Sequence, residues 1–215
     1  MIPDPAAVEM ALRSLFPAGV AVAAEAIVPT DVRALWPAEH AAVAGAVPAR
    51  LAEFVAGRTA ARRVLTLLGQ PLQALPMAPD RAAVWPQGIS GSIAHAAGLA
   101  IAVARHGAPL GVDIEDDSAI APDLWPILCG SDEVRRLDGD AGKEVKCLFC
   151  AKEAVFKAQA PESRVLFGHE ILAVTLADDY FDAQFLTNAG AFQAGQIVRG
   201  RIAVADGLVL AGVAV

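Results

Sequence analysis

The stretch "PLGVDIEDDS", residues 109–118, places two carboxylates among apolar neighbours: Asp113 and Glu115 alternate with Val112 and Ile114. In a strand, alternate side chains share a face and lie roughly 6.6 Å apart. Val112 and Ile114 would then face a core while Asp113 and Glu115 point away together. Such a pair is either the solvated face of a half-buried strand or a pair of hard oxygen ligands for a divalent cation. Spacing alone leaves both open.

Other charged groups stand where apolar ones are expected. On a helical wheel of "ARLAEFVAGRTAARRVLTLLG", Leu51, Phe54, Val55 and Leu65 form one apolar arc, and Arg58 and Arg62 project from its middle. Arg63 points away and is expected to be solvated. A buried guanidinium needs an anion. That anion is either an internal carboxylate or a bound phosphate, whose oxygens suit the guanidinium fork. In "EVKCLFCAKEAVFKAQA" the apolar arc holds Lys152, while Glu153 and Lys157 lie four residues apart along its edge. As a surface pair those two would contribute only a few tenths of a kcal/mol. In "WPQGISGSIAHAAGLAIAVA", Gly88 and Gly91 permit close backbone approach, and Ser92 and His95 are expected just before an apolar strand. No serine-nucleophile elbow is present.

Helices are expected over roughly 5–16, with Asp4 and Pro5 as cap and first position, over 48–68, and over 144–160, stopping at Pro161. A Pro/Gly/Asp-rich loop should run from about 70 to 90. Strand patterns cover 99–105, 110–115 and four segments of the last third, with Asp206-Gly207 as a hairpin turn. Strands clustered apart from helices indicate an α+β fold.

The chain has 215 residues and a net charge of −7, which argues against general nucleic-acid binding. Four arginines between 50 and 63 face a single acid, Glu53, so a local anion site is expected within an acidic protein. Apolar runs are too short to cross a membrane, and the amino terminus lacks a signal-peptide pattern. Three cysteines argue against a disulfide framework, and a cytoplasmic protein is expected. Cys147 and Cys150, spaced C-x-x-C on a helical pattern, are read as packing residues.

Taken in order along the chain, "GVDIE" followed about forty residues later by "AKEAVFK" resembles the two signature blocks of the 4′-phosphopantetheinyl transferases. The upstream "EFVAGRTAARRVL" and "WPQGISGSIAH" resemble the enterobactin-synthase component D branch of that superfamily. The resemblance implies two pseudo-twofold-related α+β halves, 1–108 and 109–215, with coenzyme A in the cleft between them. It implies Mg²⁺ on Asp113, Glu115 and Glu153, with Glu153 also a candidate base. Lys157, and Lys152 with it, would approach the pyrophosphate or the attacking group. His95 would bond a coenzyme A phosphate and Arg58 the nucleotide's phosphates, with Arg50, Arg62 and Arg81 as secondary contacts. Ser92 is a further candidate, since Ala94 and Ala96 stand where the family often has hydroxyl residues beside the histidine.

The implied reaction moves the phosphopantetheine arm of coenzyme A onto a serine of an apo acyl or peptidyl carrier protein, releasing adenosine 3′,5′-bisphosphate. The protein is expected to work as a monomer, without nucleic acid or membrane. The pathway stays open among siderophore, polyketide, nonribosomal peptide and fatty-acid assembly. Two rivals are another Mg²⁺-dependent phosphotransferase or pyrophosphohydrolase, and a non-catalytic module that binds carrier proteins or coenzyme A. Intact acids at 113, 115 and 153 with Lys157 favour the transferase.

Overall fold

The computed structural model describes residues 2–163 and 168–215. The first helix, α1 (Pro5–Leu15), begins where the Asp4 carboxylate accepts the Ala6 N–H at 3.1 Å and Pro5 occupies the first turn. It buries Val8, Leu12 and Leu15, one face at helical spacing. α2 (Pro48–Leu67) ends within a residue of expectation, and Gly69 takes the left-handed backbone that stops it (φ +70°).

Three antiparallel strands, β1 (Ala21–Ala26), β2 (Ile89–Ala96) and β3 (Leu99–His106), form one sheet in the order β1-β3-β2. β1 was not anticipated, because "AVAAEA" is dominated by alanine, a weak strand former. β2 corrects a second expectation: Ser92 and His95 lie within a strand rather than before one. All eight of its residues pair with β3, across a turn in which Ala97 and Gly98 both have positive φ. Gly91 depresses strand propensity but leaves room for an indole, since a Cβ there would stand 2.4 Å from the Trp85 ring.

A second sheet has the order β4-β8-β7-β6-β5, every pairing antiparallel: β4 (Leu110–Asp116), β5 (Leu172–Leu176), β6 (Tyr180–Phe185), β7 (Ile197–Ala205) and β8 (Leu208–Ala214). Asp206 and Gly207, with φ of +53° and +77°, make the tight turn joining β7 to β8. The short helices α3 (Trp125–Leu128) and α4 (Ser131–Arg136) precede α5 (Ala141–Ser163). α5 starts before 144 and passes through Pro161 instead of stopping there. That proline falls in the final turn, where its missing N–H removes a single helical bond.

The fold is α+β, with a long helix laid on each sheet: α2 on β1 and β3, α5 on β4 and β8. α1 joins the two layers. Its Val8 and Leu12 share one apolar core with Val22, Leu110, Val112 and Leu210. Among the described residues no helix is long and apolar enough to cross a membrane.

Strand alternation sets the two faces of β4. Leu110, Val112 and Ile114 enter the shared core, so Gly111, Asp113 and Glu115 turn toward α5. Gly111 permits very close approach, since a Cβ there would stand 2.0 Å from the Ala154 carbonyl oxygen and 2.6 Å from the Ala158 nitrogen. The acids of β4 are thereby brought against the polar edge of α5.

Candidate active site

A cavity of about 570 Å³ opens between the layers, lined from one side by α2, β2 and residues 77–85 and from the other by Pro109, Leu110, Phe156 and Lys157. Arg50, Arg58, Arg81 and His95 all line it. Arg58 is 5% exposed. Its Nε donates to the Leu75 carbonyl at 2.7 Å, and its guanidinium carbon lies 4.2 Å from the centre of the Phe54 ring. Burial pushes its pKa down to about 10, with Arg62 and Arg50 pushing the same way against Glu39, and it remains charged at neutral pH. Arg50 Nη1 lies 3.1 Å from His95 Nε2 and 3.2 Å from Glu53 Oε2. Burial holds His95 below the usual imidazole value of 6.5, against the opposing pull of Glu53. Arg81 sits at the rim on a left-handed backbone (φ +69°).

The strand carrying His95 also explains the alanines beside it. Gly91, Ser92, Ile93 and His95 line the cavity, whereas Ala94 and Ala96 pack into the core shared with α1 and β4. A hydroxyl at either flanking position would point away from the histidine's face. Ser92 is buried, and its Oγ accepts the Val112 N–H at 3.1 Å. That bond ties β2 to β4 one residue before Asp113, so the serine oxygen is engaged in joining the sheets.

On the acidic side, Asp113 is 4% exposed, which excludes a solvated strand face. Lys157 Nζ donates to its Oδ1 at 2.5 Å, while its buried Oδ2 has no hydrogen-bond partner among the described residues. The Glu115 carboxylate is 3.5 Å from Lys146 Nζ, which also reaches Asp116 at 3.4 Å. Burial first, and the neighbouring Asp113 second, raise the Glu115 pKa. Glu153 is raised by burial, with Asp113 and Glu115 adding to the shift and Lys157 opposing it. These are hard oxygen donors, and among the described residues Asp113 Oδ2 is a buried acceptor without a donor. The residues fit a divalent cation. Among the described residues, however, no three His, Cys, Asp or Glu side chains already stand close enough together to hold one.

Several expected ligands serve structure instead. Lys152 is 1% exposed and donates to Glu133 at 2.7 Å and to the Leu128 carbonyl at 2.9 Å, so it points away from the cavity side of α5. Arg62 pairs with the fully buried Glu39 at 2.5 Å and does not line the cavity. The anion demanded by its place on the apolar arc is an internal carboxylate. Arg63 is not merely solvated: it bonds Glu9 and Glu25, both at 2.8 Å. The cysteines are free thiols, and burial pushes the thiol pKa up at all three.

Sequence reasoning missed Glu39, Glu133 and Lys146. Lys146 had a signal, since it lies seven residues before Glu153 and so shares its helical face. Glu39 and Glu133 sit in short helical turns without the periodicity that would mark them as buried.

Fold and site together define an α+β protein with an arginine- and histidine-lined cavity between its layers and the acids of β4 and α5 beside it. Comparison with known proteins agrees. The 4′-phosphopantetheinyl transferase N-terminal domain family matches residues 38–105, and the 4′-phosphopantetheinyl transferase superfamily matches residues 109–203. The chain is 36% identical over 199 residues to 4′-phosphopantetheinyl transferase Svp of Streptomyces mobaraensis, covering 86% of this chain and 80% of that protein. It is 29% identical over 229 residues to 4′-phosphopantetheinyl transferase Npt of Nocardia iowensis, covering 94% and 99%. To enterobactin synthase component D of Salmonella typhi it is 37% identical over 130 residues, covering 58% and 54%. The chain belongs to the 4′-phosphopantetheinyl transferase superfamily.

Proposed function

We propose that this protein transfers the phosphopantetheine arm of coenzyme A to a serine hydroxyl of an apo acyl or peptidyl carrier protein, releasing adenosine 3′,5′-bisphosphate. The observation that carries the proposal is the meeting of two charge environments at Lys157. One side of that lysine is a cavity lined by Arg50, Arg58 and His95. The other is Asp113, buried with one carboxylate oxygen unsatisfied among the described residues.

The division of labour follows the two layers. Residues 1–108 supply the groups for coenzyme A, with Arg58 on the 3′-phosphate and His95 and Arg50 on neighbouring phosphate oxygens. Residues 109–215 supply the acids and the carrier contacts. Asp113, Glu115 and Glu153 would hold Mg²⁺, which, when bound, offsets negative charge on the pyrophosphate. Lys157 leaves Asp113 and donates to phosphate oxygens at the reacting centre. Glu153, its pKa raised, accepts the serine proton. The serine oxygen bonds to the pantetheine-side phosphorus as the phosphorus–oxygen bond to the nucleotide breaks. The chain needs no nucleophile of its own, because phosphoryl-type transfer depends chiefly on positioning and electrostatics. We place the enzyme in the cytoplasm and expect it to act as a monomer.

The test is intact-protein mass spectrometry of several apo carriers incubated with the protein, coenzyme A and Mg²⁺. A carrier heavier by one phosphopantetheine, with adenosine 3′,5′-bisphosphate released in equal amount, is the expected result. Nucleotide released without a carrier would instead indicate a pyrophosphohydrolase, and binding without turnover a non-catalytic module.

A further inference from the structure

We infer that Glu39 is a positioning residue for Arg58 and thereby sets how well the cavity recognises the 3′-phosphate of coenzyme A. The inference rests on Arg58 reading that phosphate. Glu39 is wholly buried and lies outside the cavity lining. Three donors converge on it. Leu75 N–H reaches Oε1 at 2.8 Å, Trp36 N–H reaches Oε2 at 3.0 Å, and Arg62 Nη2 reaches Oε2 at 2.5 Å. The other side of the same Leu75 residue is its carbonyl, which accepts Arg58 Nε at 2.7 Å.

Leu75 is thus held through its N–H by Glu39, and its carbonyl in turn holds Arg58. A guanidinium fixed through Nε, with Phe54 beneath it, can turn its two terminal nitrogens to a ligand. The orientation of those nitrogens depends on where the Leu75 backbone sits. Only a carboxylate meets the demand at position 39, because every contact made to it is a donor. A glutamine would turn its own NH₂ toward one of the three. Glu39 also anchors the start of the segment that runs on to Met77 and Trp85 in the cavity wall.

The test compares coenzyme A with dephospho-coenzyme A, by calorimetry and by steady-state kinetics on the full chain. Arg58→Ala should abolish the preference for coenzyme A. Glu39→Gln should raise the KM for coenzyme A roughly tenfold with kcat nearly unchanged, and shrink the same preference. In the Arg58→Ala background it should add little, since the two act through one contact. Because Glu39→Gln strips Arg62 of its counter-charge, Glu39→Ala/Arg62→Met serves as a charge-neutral second variant with the same expected loss. Hydrogen exchange on the unmutated protein gives an independent reading: by reciprocity, coenzyme A should protect the Leu75 amide more than dephospho-coenzyme A does.

Folded Glu39 variants with the original KM and preference, or equal protection by the two ligands where Arg58→Ala does abolish the preference, would overturn the role of Glu39. Equal losses for both ligands in Arg58→Ala would instead overturn the 3′-phosphate reading on which it rests.

Discussion

Lys157 Nζ lies 2.5 Å from Asp113 Oδ1, so a lysine ammonium already neutralises an acid proposed to bind the metal. The pair joins β4 to α5 and leaves Asp113 Oδ2 buried without a partner among the described residues. In this state the lysine is an internal counter-ion, and a divalent cation must compete with it. Lys157→Met should therefore bind Mn²⁺ several-fold more tightly than the parent in the absence of coenzyme A, as read by calorimetry. Transfer should fall in the same variant. Unchanged or weaker metal binding would mean that the two cations do not compete.

Glu153→Gln should abolish transfer while sparing coenzyme A affinity, because Arg50, Arg58 and His95 of the cavity lie on α2 and β2. It should also change stability in a defined direction. The folded Glu153 pKa is raised above the usual 4.5 by burial and by Asp113 and Glu115. The folded state therefore holds that proton more tightly than the unfolded chain does, and stability falls as pH rises through the interval between the two values. The penalty grows as pH rises above the unfolded value and is gone below about 4. Without metal, Glu153→Gln should melt higher than the parent at pH 7, with the difference vanishing in acid. A lower melting temperature at pH 7 would contradict the direction of the shift.

Gly111→Ala tests the close contact that aligns the site. A methyl group 2.0 Å from the Ala154 carbonyl oxygen must push α5 away from β4. Overpacking of this kind costs about 1–3 kcal/mol, measurable by urea unfolding. Transfer should drop more than stability predicts, since Lys157 and Glu153 move with the helix. Full activity in the variant would show that the helix need not sit so close.

Lys152→Met separates scaffold from chemistry. It leaves the nearly inaccessible Glu133 carboxylate, which also accepts the Val174 and Gly130 N–H groups, without its cation. Breaking a buried pair from one side costs about 3–5 kcal/mol. Glu133→Gln/Lys152→Met should recover part of that loss. Where the variants remain folded, the KM for coenzyme A should match the parent. A raised KM at unchanged stability would return Lys152 to the binding site.

Much of this protein was legible from local pattern alone. The α2 and α5 periodicities, the strand alternation at 112–115 and the Asp206-Gly207 turn are short-range properties, expressed by any chain that buries one face of each element. They placed Arg58 inside an apolar arc and Asp113 on the face of its strand opposite Val112 and Ile114, where the structure has them. What pattern could not supply was the partner on the other side of each face. Arg58 and Arg62 share one arc of one helix, yet one lines the cavity and the other ends on Glu39, more than twenty residues away in a short helical turn. Lys152 and Lys157 lie a little over one turn apart on α5, yet they face opposite carboxylates, Glu133 and Asp113. A helical wheel gives a direction and nothing about what waits there. Which buried cation became scaffold and which reached the cavity was decided by long-range packing, because a charge removed from water must be answered by whatever group the fold brings within a few ångströms.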